Sequence, residues 1–240
     1  MSVKLEWVLF DADNTLFYFD AFSGLKRLFK KYEIYFSPND YDQYQSLNTT
    51  LWIDYQNNSI SLLQLQHYRF EGWANRLGVT TYELHNGFLK AMGEISNPLP
   101  GAGDLLSNLY GKVKIGIITN GFTALQETRI RRNCFSKYFN LLIVSEQVGY
   151  AKPNPEIFNF ALNKMSNPSR HRVLMVGDNP DSDIIGGINA GFSTCWLNHD
   201  GRTKPHGINP DWQVTSLREL QDLLEGSLRN ADCNQNLLKT

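Results

Sequence analysis

The chain has 240 residues, a formal net charge of −1, and 42% hydrophobic and 20% charged residues. This length allows one large domain or a core with a smaller module, and the composition is that of an ordinary globular protein. The chain has no excess of basic residues that would attract a nucleic acid polymer or a membrane surface. An anionic ligand must therefore be held by a local site.

Three cysteines, Cys134, Cys195 and Cys233, form no Cys-x-x-Cys pattern and no cluster with histidine. This usage is typical of a reducing compartment, without structural disulfides or zinc. The first ten residues lack the pattern of a signal peptide, and no apolar run approaches the length of a membrane span. We therefore expect a cytoplasmic protein in which Cys134 and Cys195 are buried as small apolar residues.

The first predicted element is a short buried strand, the apolar run at residues 7–10, and two carboxylates follow it directly. Asp11 and Asp13 are two residues apart, so their side chains point the same way in extended backbone. Like charges this close require a cation or a proton to neutralise them. A Mg²⁺ ion would do so, leaving one carboxylate as a nucleophile and the other as an acid and base. Alone, this pattern is more often a solvated loop.

The next segment contains no convincing strand and is predicted to be helical. Its periodicity and capping signals indicate four helices, at residues 20–33, 38–57, 61–77 and 81–94. Ser61 with Gln64, and Thr80 with Glu83, fit capping boxes. We expect a helical cap domain at 20–96, inserted into a core domain of residues 1–19 and 97–228, with a flexible tail at 229–240.

Short apolar runs then alternate with helical patterns to the end of the chain. The predicted strands are 114–119, 141–144, 172–176 and 194–197. Nearly continuous apolar strands separated by helices indicate an α/β fold with a parallel sheet covered on both faces. Asn154 before Pro155 is predicted to begin one helix, Gly191 to end another, and Ser216 with Glu219 to open the last as a capping box.

Polar residues follow these strands in a set order. Thr119-Asn120-Gly121 comes after the second strand, Lys152-Pro153 after the third, and Gly177-Asp178 with Asp183 after the fourth. Each motif alone is a common turn or surface feature. Ligands of parallel sheets bind at the carboxyl ends of the strands, so together the motifs predict one site with phosphate-binding and oxygen-rich metal-binding groups.

The four motifs in this order resemble those of the haloacid dehalogenase-like (HAD) hydrolase superfamily. Further segments at 10–17, 64–67, 117–126 and 186–191 are similar to those of bacterial pyrimidine 5′-nucleotidases, and the likeness extends to about Leu224. The resemblance implies a Rossmann-like core with an inserted C1-type helical cap, Mg²⁺ (or Mn²⁺, which suits the same ligands), and an aspartyl-phosphate intermediate. It implies a small-molecule substrate, a pyrimidine nucleoside monophosphate such as dUMP, UMP or dTMP.

The resemblance also implies roles for individual residues. Asp11 would be the nucleophile, and Asp13 the acid and base. Thr119, Asn120 and Lys152 would bind phosphate. Asp11, Asp178 and the backbone carbonyl of Asp13 would ligate the metal, and Asp183 would orient Lys152 and metal-bound water. Asn14 stands where the superfamily often has glycine, and asparagine tolerates the positive φ such a position needs.

Other functions share this core. A dehalogenase attacks carbon and needs no second aspartate, so Asp13 argues against it. A phosphatase for another small phosphorylated metabolite, a phosphomutase and a non-catalytic HAD-fold binding protein remain alternatives, although the last predicts loss of a catalytic side chain and all are present.

One helix face in the predicted cap has two interpretations. Its residues recur at three- and four-residue spacing and are Tyr41, Tyr44, Asn48, Leu51, Trp52 and Tyr55. The face either packs the cap core, with Asn48 satisfied locally, or contributes to substrate binding. In the second case Trp52 stacks on the base and the Asn48 amide pairs with its polar edge.

Overall fold

The computed structural model of the protein describes residues 4–226. These residues form two compact units. The sheet unit comprises the described parts of Met1–Tyr18, Pro98–Asn120 and Asn133–Thr240, and the helical unit comprises Phe19–Asn97 and Gly121–Arg132. The assignment of these units as catalytic core and cap stays a prediction, and the predicted tail at 229–240 lies outside the described residues.

The sheet unit is built on a six-stranded, all-parallel sheet with the strand order β3-β2-β1-β4-β5-β6. The strands are β1 (Trp7–Phe10), β2 (Lys114–Thr119), β3 (Leu141–Val144), β4 (Val173–Gly177), β5 (Ser193–Leu197) and β6 (Trp212–Val214). Every residue of β1 and β4 is buried, as expected for strands covered on both faces. The predicted α/β fold with a parallel sheet is confirmed.

The order of the strands determines which loops meet. β1 pairs with β2 on one side and with β4 on the other, with Phe10 opposite Ile117 and Val176. The segments that follow these three neighbouring strands therefore begin at one edge of the sheet. Asp11 follows β1, Thr119 ends β2, and Asp178 follows β4.

Short helices complete the sheet unit. They are α6 (Ala102–Leu109), α8 (Ser145–Val148), α9 (Pro155–Lys164) and α10 (Ile185–Asn189), with a π-helical turn at Pro180–Ile184 and a helical segment at 217–226. The Asn154 side chain caps α9 by accepting a hydrogen bond from Glu156 N at 2.9 Å. Gly191 follows α10 with φ +74°, a conformation that favours glycine. Both predicted boundaries are confirmed.

Two details of the sheet unit differ from the sequence predictions. β6 was not predicted, because this three-residue edge strand has an exposed Gln213 and no apolar run. At residue 216, Ser216 Oγ accepts from Glu219 N at 3.2 Å, as in a capping box, but the Glu219 carboxylate accepts from Thr215 N and Oγ1 instead of Ser216 N. The predicted capping box is therefore only half formed.

The helical unit contains six α-helices within the described residues. They are α1 (Ala21–Phe29), α2 (Pro38–Gln56), α3 (Leu62–Tyr68), α4 (Glu71–Leu77), α5 (Thr81–Ile95) and α7 (Thr123–Arg132). The predicted core domain included the segment of α7, whereas α7 packs against α5 in the helical unit. Gly93 allows the close approach, because a Cβ there would lie 2.8 Å from Thr128 Cγ2.

The predicted helix at 61–77 is two helices, broken at Arg69 and Phe70. Leu65 and Phe70 are both fully buried and five residues apart, which is not a helical repeat, so the break allows both side chains to be buried. The Ser61 capping box is confirmed. Thr80 accepts from Glu83 N, but the Glu83 carboxylate accepts from Tyr32 Oη, so that predicted box is only half formed.

Two further expectations concern environment. Among residues 4–226, no helix has both the length and the apolar character that crossing a bilayer requires. Cys195 is buried as predicted, whereas the prediction for Cys134 is wrong: it is exposed and has φ +58° in the turn after α7.

Candidate active site

Lys152 lies at the centre of a buried charged cluster in the sheet unit. Its Nζ donates to Asp11 Oδ1 at 2.5 Å and to the carbonyl oxygen of Ile118 at 2.7 Å. The same atom lies 2.6 Å from Asp183 Oδ1. The Lys152 side chain is 1% exposed, so its charge is compensated by these carboxylates rather than by water.

The electrostatics of the cluster favour bound cations. Burial alone would lower the pKa of Lys152, but the carboxylates of Asp11 and Asp183 raise it above its usual value. Burial, together with the charges of Asp183 and Asp11, raises the pKa of Asp178 to about 8. Burial also raises the pKa of Asp183, although its ion pair with Lys152 opposes the shift. One lysine therefore does not neutralise three acids.

The same acids have the chemistry of a divalent metal site. Carboxylate oxygens of Asp11, Asp178 and Asp183 all lie within 4.8 Å of one another. Hard oxygen donors in this number suit Mg²⁺, and a divalent cation would relieve the repulsion that raises the pKa of Asp178. The donor set therefore fits the metal that the sequence predicts, with Asp11 and Asp178 as ligands. Asp183 is committed to Lys152 through one oxygen, as expected of a residue that orients the lysine.

The close approach of Asp183 depends on Gly177. A Cβ at position 177 would lie 2.1 Å from Asp183 Oδ2, so no side chain fits there. The second oxygen of Asp183 accepts from Asn179 N at 3.0 Å. The absence of a side chain at Gly177, the last residue of β4, therefore leaves room for the Asp183 carboxylate. This explains why the motif combines this glycine with Asp183.

Asn120 holds the backbone of Lys152. Its Nδ2 donates to the Lys152 carbonyl oxygen at 2.8 Å, and its Oδ1 accepts from Lys152 N at 2.7 Å. The Asn120 side chain is therefore engaged with the lysine segment, which leaves its backbone N–H as the group suited to a phosphate oxygen. Thr119, the last residue of β2, is 1% exposed.

The loop after β1 is a tight turn that joins the two acidic motifs. Asn14 adopts φ +53°, a positive value that asparagine tolerates, as expected from the sequence at this position. Its N–H donates to the Phe17 carbonyl at 2.7 Å. Asp13 is half-buried in this turn. Thr15 Oγ1 accepts from Asp178 N at 3.1 Å, so a buried hydroxyl ties the segment after β4 to the segment after β1. The sequence motif included Thr15 but did not indicate this contact.

A second set of contacts that sequence reasoning missed comes from β5 and the segment after it. Trp196 Nε1 and Arg202 Nη2 both donate to the carbonyl oxygen of Asp178, the former at 3.0 Å. The Arg202 guanidinium also lies 3.7 Å from Asp178 Oδ2. His199 Nε2 lies 3.2 Å from the Asn14 carbonyl. Nothing in a single tryptophan or arginine signals such a role without the sheet register.

The predicted cap candidates lie together on α2 in the helical unit. Tyr44, Leu51 and Tyr55 from the same face are buried, so part of this face packs the interior of the unit. Trp52 contacts Tyr55 and Phe122, with ring centroids 5.8 and 6.0 Å apart. The buried Asn48 Oδ1 has no hydrogen-bond partner among the described residues, which argues against local satisfaction of that oxygen. A role for these residues in binding stays a prediction.

A family model and several known proteins match this chain along most of its length. Residues 5–191 match the model of the haloacid dehalogenase-like hydrolases. The chain is 55% identical to "Pyrimidine 5'-nucleotidase YjjG" of Escherichia coli K12, over 92% of this chain and 99% of that protein. It is 30% identical to "Pyrimidine 5'-nucleotidase PynA" of Streptococcus pneumoniae, over 93% and 96% of the two chains.

A solved structure shows the same fold. The magnesium-bound structure of the HAD-hydrolase YfnB from Bacillus subtilis aligns with a TM-score of 0.81 at 29% identity, covering 92% of this chain and 99% of that one. An L-2-haloacid dehalogenase, RSc1362, aligns with a TM-score of 0.72 at 20% identity, which bears on the fold alone.

Proposed function

Because the chain belongs to the haloacid dehalogenase-like hydrolases, we propose that it is a Mg²⁺-dependent 5′-nucleotidase that hydrolyses pyrimidine nucleoside monophosphates, such as dUMP, UMP, dTMP and modified analogues. The observation that carries the proposal is Asp11, held by Lys152 at 2.5 Å within an acidic cluster and followed two residues later by Asp13. The name of the 55% identical relative supports the choice of substrate.

Asp11 performs the first step. One of its carboxylate oxygens attacks phosphorus and forms an acyl-phosphate bond, while the bond from phosphorus to the 5′ oxygen breaks. Asp13, protonated, donates its proton to the departing oxygen, because a nucleoside alkoxide is a poor leaving group. Thr119, the backbone N–H of Asn120 and the ammonium group of Lys152 bind the phosphoryl oxygens.

Asp13 reverses its role in the second step. Its carboxylate takes a proton from water, the water oxygen attacks phosphorus, and the bond to Asp11 breaks to release phosphate. Mg²⁺, held by Asp11, Asp178 and the carbonyl of Asp13, would neutralise phosphoryl charge. Asp183 keeps Lys152 in place, and Thr15 joins the two acidic segments.

The compartment follows from the proposed substrate. Nucleoside monophosphates are cytoplasmic metabolites, and three unpatterned cysteines suit a reducing environment. We therefore propose a cytoplasmic enzyme whose partner is its small-molecule substrate.

A substrate panel tests the proposal. Initial rates of phosphate release are measured on pyrimidine and purine 5′-monophosphates, sugar phosphates and p-nitrophenyl phosphate, with Mg²⁺, with Mn²⁺ and with a chelator. We expect the highest kcat/KM on pyrimidine monophosphates and loss of activity in chelator. Preference for a sugar phosphate would instead support a phosphatase of another metabolite, and transfer of phosphate between substrate positions would support a mutase. No turnover on any substrate would support a binding protein.

A further inference from the structure

In the helical unit, α2 carries an aromatic residue and an amide one turn apart, and so does the start of α7 together with the residue before it. On α2, Asn48 and Trp52 are four residues apart, and on α7 the N–H of Gln126 donates to the carbonyl of Phe122 at 3.2 Å. Side chains at this spacing share one helix face. The Trp52 and Phe122 rings are in contact, with centroids 6.0 Å apart and planes at 59°. The two pairs therefore meet within the same unit.

Each amide has at least one buried atom without a hydrogen-bond partner among the described residues. Gln126 is 0% exposed, and neither its Oε1 nor its Nε2 has a hydrogen-bond partner among the described residues. The buried Oδ1 of Asn48 likewise has none. Most buried polar groups in proteins are hydrogen-bonded, and an unpaired one destabilises the fold. Two such amides in neighbouring pairs require an explanation other than packing.

A buried pair of polar residues holds the Phe122 ring in place. The His85 ring lies against it edge to face, with centroids 4.7 Å apart, and the Arg69 guanidinium lies 5.0 Å from its centroid. Arg69 Nη2 is 2.7 Å from His85 Nδ1, and because a guanidinium only donates, Nδ1 accepts. Burial and the Arg69 charge lower the pKa of His85 to about 3, so the ring is neutral with its proton on Nε2.

The chain connects one pair to the residues proposed to bind phosphate. Phe122 is the third residue after Thr119. Three residues of extended backbone span at most about 11 Å, whatever the arrangement of the two units. The Phe122 Cα therefore lies no more than about 11 Å from the Thr119 Cα.

We propose that the pairs Asn48–Trp52 and Phe122–Gln126 select the pyrimidine base, with the aromatic rings contacting its face and the amides pairing with its polar edge. Uracil and thymine present two carbonyl oxygens on either side of an N–H, and an amide supplies both a donor and an acceptor for neighbouring members of that set. Cytosine presents the complementary order, which an amide satisfies by rotation. This inference rests on the proposed function and names the residues that recognise the base of the proposed substrate.

Substitutions that keep shape but remove polarity test the inference. Gln126→Met and Asn48→Leu are compared with Glu127→Gln and Gln45→Leu, exposed positions on the same two helices. We expect the first two variants to raise KM for dUMP about tenfold, the loss of roughly one good hydrogen-bonded contact. KM for p-nitrophenyl phosphate, which has no base, should change less than about twofold.

Thermal unfolding gives an independent readout. Replacing an unpartnered buried amide by an apolar group of similar shape removes a desolvation penalty, so Gln126→Met should keep or raise Tm while it weakens dUMP binding. A purely structural residue would lower Tm and affect both substrates equally, and that result overturns the inference. So does an unchanged KM for dUMP in both variants. If the wild-type enzyme turns over no pyrimidine monophosphate, the proposed function itself fails, an outcome visible before any variant is made.

Discussion

Asp11 directly follows β1 and pairs with Lys152, and its proposed role as the nucleophile can be tested by substitution. Asp11→Asn keeps the size of the side chain but removes the charge that attacks phosphorus, so kcat should fall by at least about 10³-fold, to background. Phosphate release from dUMP and a melting curve check the rate and the fold. Asp183 remains to pair with Lys152 in this variant, so the protein should stay folded. Retention of more than a few per cent of kcat would reject the assignment.

The proton transfer assigned to Asp13 predicts a dependence on the leaving group. Asp13→Asn should slow phosphorylation of the enzyme by dUMP much more than by p-nitrophenyl phosphate, because p-nitrophenolate departs with little need for a proton. Single-turnover kinetics separate this step from hydrolysis of the intermediate, which Asp13 also assists. Equal losses on both substrates in the first step would be inconsistent with the role.

At the residue scale, sequence reasoning found the groups that stand next to strands and missed those brought in by packing. Asp11, Lys152, Asp178 and Asp183 come together as the strand-end motifs predicted. Gln126 ends a segment quoted for the nucleotidase resemblance, but its neighbours are set by the packing of α7 on α5, which the sequence does not indicate. The contacts of Arg202 and Trp196 with Asp178 likewise depend on the place of β5 beside β4.

Among the elements, strands were easier to predict than helix boundaries. β2 and β3 have the predicted bounds, because their apolar runs end at polar or turn residues. β6 is an edge strand with an exposed Gln213 and lacks that pattern. The break at Arg69 and Phe70 follows from the need to bury Phe70, which only the neighbouring helices determine.

The close contact between Gly177, at the end of β4, and Asp183 predicts the effect of a larger residue at position 177. Gly177→Ala places a Cβ against Asp183, which must move away from Lys152. We expect kcat to fall at least about tenfold and stability to fall by about 1–3 kcal/mol, as in other overpacked sites. Activity assays and denaturant unfolding measure the two effects.

Gly72→Ala is the matched control, because a Cβ at this exposed position of α4 meets nothing within 4 Å. Alanine is favoured over glycine in a helix by about 0.5–1 kcal/mol, so this variant should be as stable as wild type or more stable, with unchanged activity. Wild-type activity in Gly177→Ala would contradict the proposed dependence of Asp183 on the glycine.

For the molecule as a whole, the raised pKa of Asp178 links stability to pH and metal. Between the ordinary value of 3.8 and about 8, the folded protein holds a proton that the unfolded chain has lost. Metal-free stability should therefore fall as pH rises through this window, since the unfolded state binds fewer protons. Mg²⁺ must displace that proton at low pH but meets a free carboxylate at high pH.

The rise in Tm caused by millimolar Mg²⁺ should thus be larger at about pH 8.5 than at about pH 6.5. Thermal unfolding with and without Mg²⁺ measures the difference, and Asp178→Asn should remove most of it. Equal shifts at both pH values in the wild-type protein would show that Asp178 does not control metal binding.

The central place of β1 has a consequence for the newly made chain. Of the six described strands, β1 is synthesised first, yet its two partners begin at Lys114 and Val173, so it stays unpaired on one side until β4 has left the ribosome. Its four apolar residues are an exposed, aggregation-prone segment during that interval. A chain stalled before Val173 should therefore depend on chaperones and be cleared by proteases, whereas one that includes β4 can pair β1 on both sides.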